Sequence, residues 1–217
     1  MKTDDLADLI KERRSIRAWQ DKKIPAELLT QAVELATYAP NAGNQQNWHF
    51  YIIVNQSVIN SIADAVKESS NFIASAPEAM QMGDVYRGII QRSDFFRSAP
   101  ALIAVATSQY QSPVDRILES QEKTVPRAAE IRRWRNTASG RIQSAAAAIA
   151  YLLLILHQMG LGAVWMTGPM QSKGEIEKIL KIPPQMDFIA LIPVGYPAES
   201  PAARPRKPVK EVCEIRE

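Results

Sequence analysis

The feature that most constrains this fold lies between Thr137 and Met159, where the pattern predicts one long helix. Its middle, Ala145 to Leu156, is an uninterrupted apolar run. A helix that is apolar nearly all round needs cover on every side, from a protein core or a dimer interface. The run falls short of the roughly 18 apolar residues that a membrane span requires, so a buried helix and no membrane span are expected. A chain of 217 residues can build a sizeable core, and one domain is the simplest count.

Shorter elements surround that helix. Thr3 can cap a first helix ending near Glu12, with Leu6, Leu9 and Ile10 on one face and Asp4 and Asp5 in its first turn. Arg13 to Trp19 contains weak helix formers and reads as extended, which points Arg13, Ser15 and Arg17 the same way. Pro25 suits the start of a second helix that stops before Pro40. Asn41 to Asn47 reads as a loop, Trp48 to Val54 as a buried strand, and Ser57 as the cap of a short helix through Lys67. The stretch to Ser98 is mostly helix and loop.

Ala101 to Ala106 has the continuous apolar pattern of a strand covered on both faces. Gln109 to Arg135 is polar and charged, an insertion suited to a lid or a partner-facing arm. After Gly160-Leu161-Gly162 a strand runs through Val164 and Trp165, and Thr167-Gly168-Pro169 turns the chain. Ser172 and Glu175 have capping-box spacing for a helix through Leu180, and Phe188 to Val194 is the last core strand. Three core strands with several helices make an α+β domain. The proline-rich tail cannot fold alone and should pack along another surface.

Composition excludes some roles. A net charge of +3 is too small to imply nucleic-acid binding despite a pI near 9.0. The basic segment Arg127 to Arg141, which includes Trp134, reads as a solvated helix face, since no recognition fold surrounds it. Cys213 has no second thiol to pair with, and Met1 to Asp5 lacks the basic start of an export signal, so a reduced, cytoplasmic protein is expected.

Two guanidinium forks and a hydroxyl at Arg13, Ser15 and Arg17 have the chemistry of a phosphate site, although such trios also occur on plain surfaces. Arg204, Arg206 and Lys207 would meet the same anion if the tail folds back. The amide-rich Asn41 to Asn47 loop can donate and accept hydrogen bonds along the edge of a flavin's pyrimidine ring, or be Asn-rich for turn geometry alone. Thr167-Gly168 offers backbone amides that a flat ring can approach closely, or is an ordinary turn. His49 and His157 read as structural. Walker, Gly-x-Gly-x-x-Gly and Gly-x-Ser-x-Gly motifs are absent from the sequence, which leaves a tightly held organic cofactor as a route to redox chemistry.

In order and spacing, four segments resemble the nitroreductase family: Arg13-Arg14-Ser15-Ile16-Arg17, Ala39 to Phe50, Gly160 to Gly168, and the Arg204 to Pro208 tail. The resemblance implies a nitroreductase-like fold, a central mainly antiparallel sheet flanked by helices, in an intertwined homodimer with two FMN sites at the subunit interface. It also implies hydride transfer from NADH or NADPH through flavin N5 to nitro compounds, quinones or related acceptors in a ping-pong reaction, with no essential acid or base from the protein. Arg13, Ser15 and Arg17 match residues around the FMN phosphate and ribityl chain, with Arg14 contributing mainly through its backbone. Arg204 and Arg206 match tail positions that reach the phosphate. Pro40, Asn41, Ala42 and Asn44 match the loop lent by the second subunit, and residues 198–217 a tail packing on that subunit. Met166, Thr167 and Gly168 match the turn beside the isoalloxazine ring, where a backbone amide meets N5.

Asn47 departs from the pattern, since many relatives have proline there, and residues 71–135 do not align. Similar proteins include reductive dehalogenases and flavin-fragmenting enzymes with extra lid residues, and a flavin-binding protein without turnover is a third reading.

Overall fold

A computed structural model describes residues 3–109 and 112–217, without the side chains of Thr3, Met80, Val85, Tyr86 and Ile89. The expected Thr3 cap therefore lies outside the described side chains. The helices are α1 (Thr3–Glu12), α2 (Ala26–Ala36), α3 (Gln56–Ala74), α4 (Pro77–Gln81), α5 (Gly83–Gln91), α6 (Pro113–Gln121), α7 (Pro126–Thr137), α8 (Gly140–Gln158) and α9 (Lys173–Leu180). The strands are β1 (Trp48–Ile53), β2 (Ala101–Ser108), β3 (Gly162–Ala163) and β4 (Met186–Gly195). They form one antiparallel sheet in the order β1-β2-β4-β3. This is the expected α+β architecture.

Side-chain alternation along β2 explains why the sheet needs helices on both faces. Ala101, Ile103 and Val105 face α2 and α8, packing with Leu29, Ile149, Leu152 and Leu156. Leu102, Ala104 and Ala106 face α3 and α9, packing with Ile59, Ile62, Phe96 and Ile176. Every residue from Ala101 to Thr107 is buried, as the unbroken apolar run requires of a central strand.

Several elements differ from expectation for identifiable reasons. The long helix starts at Gly140 rather than at Thr137, because Ala138 (φ −105°, ψ 47°) and Ser139 (φ −42°, ψ 106°) leave helical geometry. By length and composition alone, Pro126–Gln158 is long and apolar enough to cross a membrane, which the uninterrupted run by itself is not. Yet Ile149, Leu152 and Leu156 of this stretch are fully buried against the sheet. Helix α3 is capped by Asn55, whose side chain accepts from Ser57 N–H, and it continues to Ala74.

No capping box forms at Ser172: its hydroxyl donates to Ala65 O (3.0 Å) and Glu175 pairs with Lys178 (2.8 Å). A tertiary acceptor has won over the local one. A capping box forms instead at Ser112 and Asp115, opening α6. Beyond the two-residue β3 the chain follows β4 irregularly, with Val164 N–H donating to Pro193 O (3.3 Å) and Met166 exchanging hydrogen bonds with Leu191 (2.9 and 3.0 Å).

The polar Gln109–Arg135 region becomes the α6–α7 hairpin, with Tyr110 and Gln111 outside the described residues. Arg132 bridges Glu119 (3.3 Å) and Glu122 (2.5 Å) across the hairpin, and Arg135 binds Asp115 (2.6 Å) at its base. The Arg135 hydrogen bond, then that of Ser112, hold the Asp115 carboxyl well below the usual carboxylate range. The basic segment is thus largely paired within its own surroundings.

Candidate functional site

Ile16 and Trp19 anchor the segment that carries the first cationic trio. Both side chains are buried in the core beside β3, and Ile16 N–H donates to Ala163 O (3.1 Å) while Trp19 Nε1 donates to Gly162 O (2.9 Å). The fit depends on two glycines that face each other in register, Gly162 and Gly195. A Cβ on Gly162 would lie 2.7 Å from Ile16 Cγ1, and one on Gly195 would lie 2.7 Å from both Trp19 Cδ1 and Pro100 Cδ. With Ile16 and Trp19 fixed inward, Arg13, Ser15 and Arg17 line one outer cleft together.

The tail completes that cleft. Gln20 N–H donates to Tyr196 O (2.9 Å), and Ala198 N–H to Ala18 O (3.0 Å). Glu199 accepts from Arg17 N–H (2.5 Å) and Ala18 N–H (3.2 Å). Arg204 and Arg206 thereby join Arg13, Arg14, Ser15 and Arg17 around a space of about 620 Å³. The first part of the tail thus holds to its own chain, and residues 202–217 are exposed. Burial, then the charges of Arg14 and Arg206, hold Arg13 below its ordinary value. An anion in the cleft would relieve that crowding. Ser15 Oγ makes no hydrogen bond to a described residue, whereas Arg14 Nη1 binds Lys11 O and Arg13 O.

Met166, Thr167 and Gly168 lie along the far edge of β4. The Met166 amide is committed to Leu191 O, so it is not the one available to a ligand. At Gly168 a Cβ would meet nothing within 4 Å, leaving the open approach that a flat ring needs.

The Pro40 to Asn44 loop sits elsewhere. Ala42 N–H donates to Ser144 Oγ (3.1 Å), which ties the loop to the start of α8. Asn41 Oδ1 accepts from Gln46 N–H (3.0 Å), and Asn44 Oδ1 accepts from Gln46 Nε2 (3.3 Å). The cationic cleft lies near the other end of α8, where His157 and Gly162 adjoin Arg14 and Ile16. Those 19 residues rise about 28 Å. One chain therefore brings Arg13, Arg14, Ser15, Arg17, Arg204 and Arg206 together, but not Pro40, Asn41, Ala42 or Asn44 with them.

Asn47, where the family resemblance leads one to expect proline, is buried, and its Nδ2 donates to Thr107 Oγ1 (3.1 Å) and Ser108 O (3.2 Å). Side-chain hydrogen bonds to β2 supply the restraint that a ring would supply covalently. Sequence reasoning missed Glu199 and the Asp187 network. Lys173 reaches Glu177 (2.7 Å) and Asp187 (3.0 Å), and Arg141 reaches Asp187 (2.7 Å). Burial disfavours the Asp187 carboxylate, but hydrogen bonds from Lys173 and Arg141 outweigh it and lower its pKa. Only the Lys173–Glu177 spacing of four was a local signal.

Against this geometry, the model of the nitroreductase family matches residues 10–196. The chain belongs to the nitroreductase family. Within that family it is similar to a Methanothermobacter thermautotrophicus protein assigned by inference as an NADH dehydrogenase/NAD(P)H nitroreductase, at 29% identity over 92% of this chain and 81% of the relative. A BluB-like flavoprotein from Clostridium difficile superposes with TM-score 0.85 at 25% identity, covering 100% of both chains. An iodotyrosine deiodinase bound to FMN and 3-iodo-L-tyrosine superposes with TM-score 0.69 at 25% identity, covering 97% of each chain. This nitroreductase-family chain is thus an oxidoreductase with flavoproteins among its structural neighbours.

Proposed function

We propose that this chain binds FMN at the interface of a homodimer and uses it to pass hydride from NADH or NADPH to small acceptors such as nitroaromatics or quinones. The observation that carries the reading is the cleft where Arg13, Ser15 and Arg17 gather with Arg204 and Arg206 from the opposite end of the sequence. Such a set suits a phosphate monoester. FMN bound there would supply the hydride-accepting and hydride-donating chemistry.

Arg13, Ser15, Arg17, Arg204 and Arg206 would hold the phosphate and ribityl end, with Arg14 shaping the cleft. Arg17 is then committed to the phosphate and unavailable to the ring. Met166 would shape the ring edge through its backbone pairing, and the Thr167 or Gly168 amide would donate to the flavin. The Pro40 to Asn44 loop, distant in its own chain, would serve the flavin of the second subunit, so each site needs both chains. Exposed apolar side chains support that assembly: Leu35 of α2, Tyr38 just beyond it, and Tyr151 of α8. Residues 207–217, with exposed Val209, Val212 and Ile215, would pack on the partner.

The test is an anaerobic absorption spectrum of the purified protein after FMN addition and then after NADPH or NADH. Flavin bands that bleach support the reading and reveal the donor preference. Failure to take up FMN refutes it, while bound flavin that neither nucleotide reduces refutes the nicotinamide step.

Reductive dehalogenation is a second reading, favoured by the deiodinase likeness, in which the α6–α7 hairpin would serve as the lid. Release of halide from a halophenol by the reduced protein, with no nitroaromatic turnover, would select it.

A further inference from the structure

Between the α6–α7 hairpin and the first turn of α8 lies a cavity of about 860 Å³, within the range of small-molecule sites. Three arginines, Arg132, Arg135 and Arg141, line it with the single carboxylate of Asp115, the Trp134 ring and Ala42. Ala42 belongs to the loop placed above against the partner's flavin, which is where the inference rests on that reading.

The charged groups have distinct roles. Arg132 is spent on Glu119 and Glu122, and Arg135 Nε and Nη2 on Asp115 and Ser112. Their charges are balanced by these carboxylates, and the pairs hold the walls in place. Arg141 uses only Nη1, toward Asp187 (2.7 Å) and Thr107 O (3.4 Å), so its Nε and Nη2 make no hydrogen bond to a described residue. Asp187 is also held by Lys173 (3.0 Å), which fixes Arg141 through its partner. Asp115 is engaged by Arg135 and Ser112, so an ammonium group entering the cavity finds its carboxylate occupied. Trp134 lines the cavity and is half exposed, with the Arg127 guanidinium over one face of its ring, 4.9 Å from the centre.

We propose that this cavity selects an acceptor that is an aromatic carboxylate, with Arg141 binding the carboxylate and Trp134 stacking on the ring. A neutral ring leaves the Arg141 fork without an anion, and a zwitterion brings an ammonium group to a lining whose carboxylate, Asp115, is already paired with Arg135. Specificity thus comes from the hairpin and α8 rather than from the flavin's own contacts.

Calorimetric titration with 4-nitrobenzoate and with 4-nitrobenzamide tests this, on FMN-loaded and FMN-free protein. The acid is expected to bind about tenfold tighter than the amide, as one charge-assisted pair provides. Arg141→Met should remove that preference, and it leaves Asp187 with Lys173, so no buried charge is stranded. Arg141→Lys keeps the charge and the Asp187 pair but loses the fork, and should retain only part of the preference. Trp134→Ala should weaken acid and amide together by roughly two- to tenfold. In the loaded enzyme the same preference should appear in kcat/KM.

Equal binding of acid and amide by the wild-type protein overturns the proposal, as does a preference that survives in both Arg141 variants. Visible spectra of the same samples separate the two readings. A protein that takes up no FMN defeats the flavoenzyme assignment while the titration still decides the cavity. A reducible flavoenzyme indifferent to the carboxylate defeats only this inference.

Discussion

Substituting Gly162 tests whether close packing at β3 positions the cationic cleft. A Cβ there would lie 2.7, 2.8 and 2.8 Å from Ile16 Cγ1, Cβ and Cγ2, where carbon atoms settle at about 3.5–4.0 Å. Ile16 must therefore withdraw by about 1 Å. Its side chain is buried and its N–H donates to Ala163 O at 3.1 Å, so withdrawal strains the packing and weakens that hydrogen bond together. Overpacking costs about 1–3 kcal/mol and the hydrogen bond about 0.5–1.5 kcal/mol, giving an expected loss of about 1.5–4.5 kcal/mol for Gly162→Ala. Ser15 and Arg17 flank Ile16, so FMN affinity should fall tenfold or more.

Urea unfolding followed by tryptophan fluorescence reads the first effect, and quenching of flavin fluorescence on titration reads the second. Gly168→Ala is the control, because its Cβ meets nothing within 4 Å. It should leave the urea midpoint unchanged yet weaken FMN binding by obstructing the ring's approach. A Gly162→Ala protein with wild-type midpoint and wild-type FMN affinity would refute the argument.

Three further outcomes are expected. Asn47→Ala should lower stability by about 1–3 kcal/mol in chemical denaturation, because it leaves buried Thr107 Oγ1 and Ser108 O without the Asn47 donor. The hydrogen bonds from Arg135 and Ser112 hold the Asp115 carboxyl below the ordinary carboxylate range, so its clamp is fully present above that range and is lost as pH falls below it. Acid titration of hairpin protease sensitivity should show this dependence below about pH 4 in wild type and lose it in Asp115→Asn. Tyr151→Glu, on the exposed face of α8, should shift sedimentation from dimer to monomer and reduce FMN retention; an unchanged dimer would remove that face from the interface.

Local physics made much of this protein legible in its sequence. The Ala101 to Ala106 run has the pattern of a strand covered on both faces, and it lies inside the sheet as β2. Pro25 and Pro40 bracketed α2 because proline fits just ahead of a helix and cannot continue one. The alternation of Arg13, Ser15 and Arg17 about Ile16 placed three polar groups on one side of the segment, and they line one cleft.

Other features depended on partners far away in the chain. Ser172 had capping-box spacing, but Ala65 O offered its hydroxyl a tertiary acceptor. Glu199 carries no local signal, yet it binds the amides of Arg17 and Ala18 and brings the tail arginines to the cleft. The apolar Ala145 to Leu156 run required cover on every side, while only the folded chain decides that one face meets the sheet and that Tyr151 stays exposed. The sequence by itself determined the main core helices and strands, though not all their bounds, and which side chains can bind an anion, because propensity and periodicity act over a few residues. Only the tertiary structure decided which of those side chains meet, because contacts across the sheet depend on register and close packing that no short segment contains.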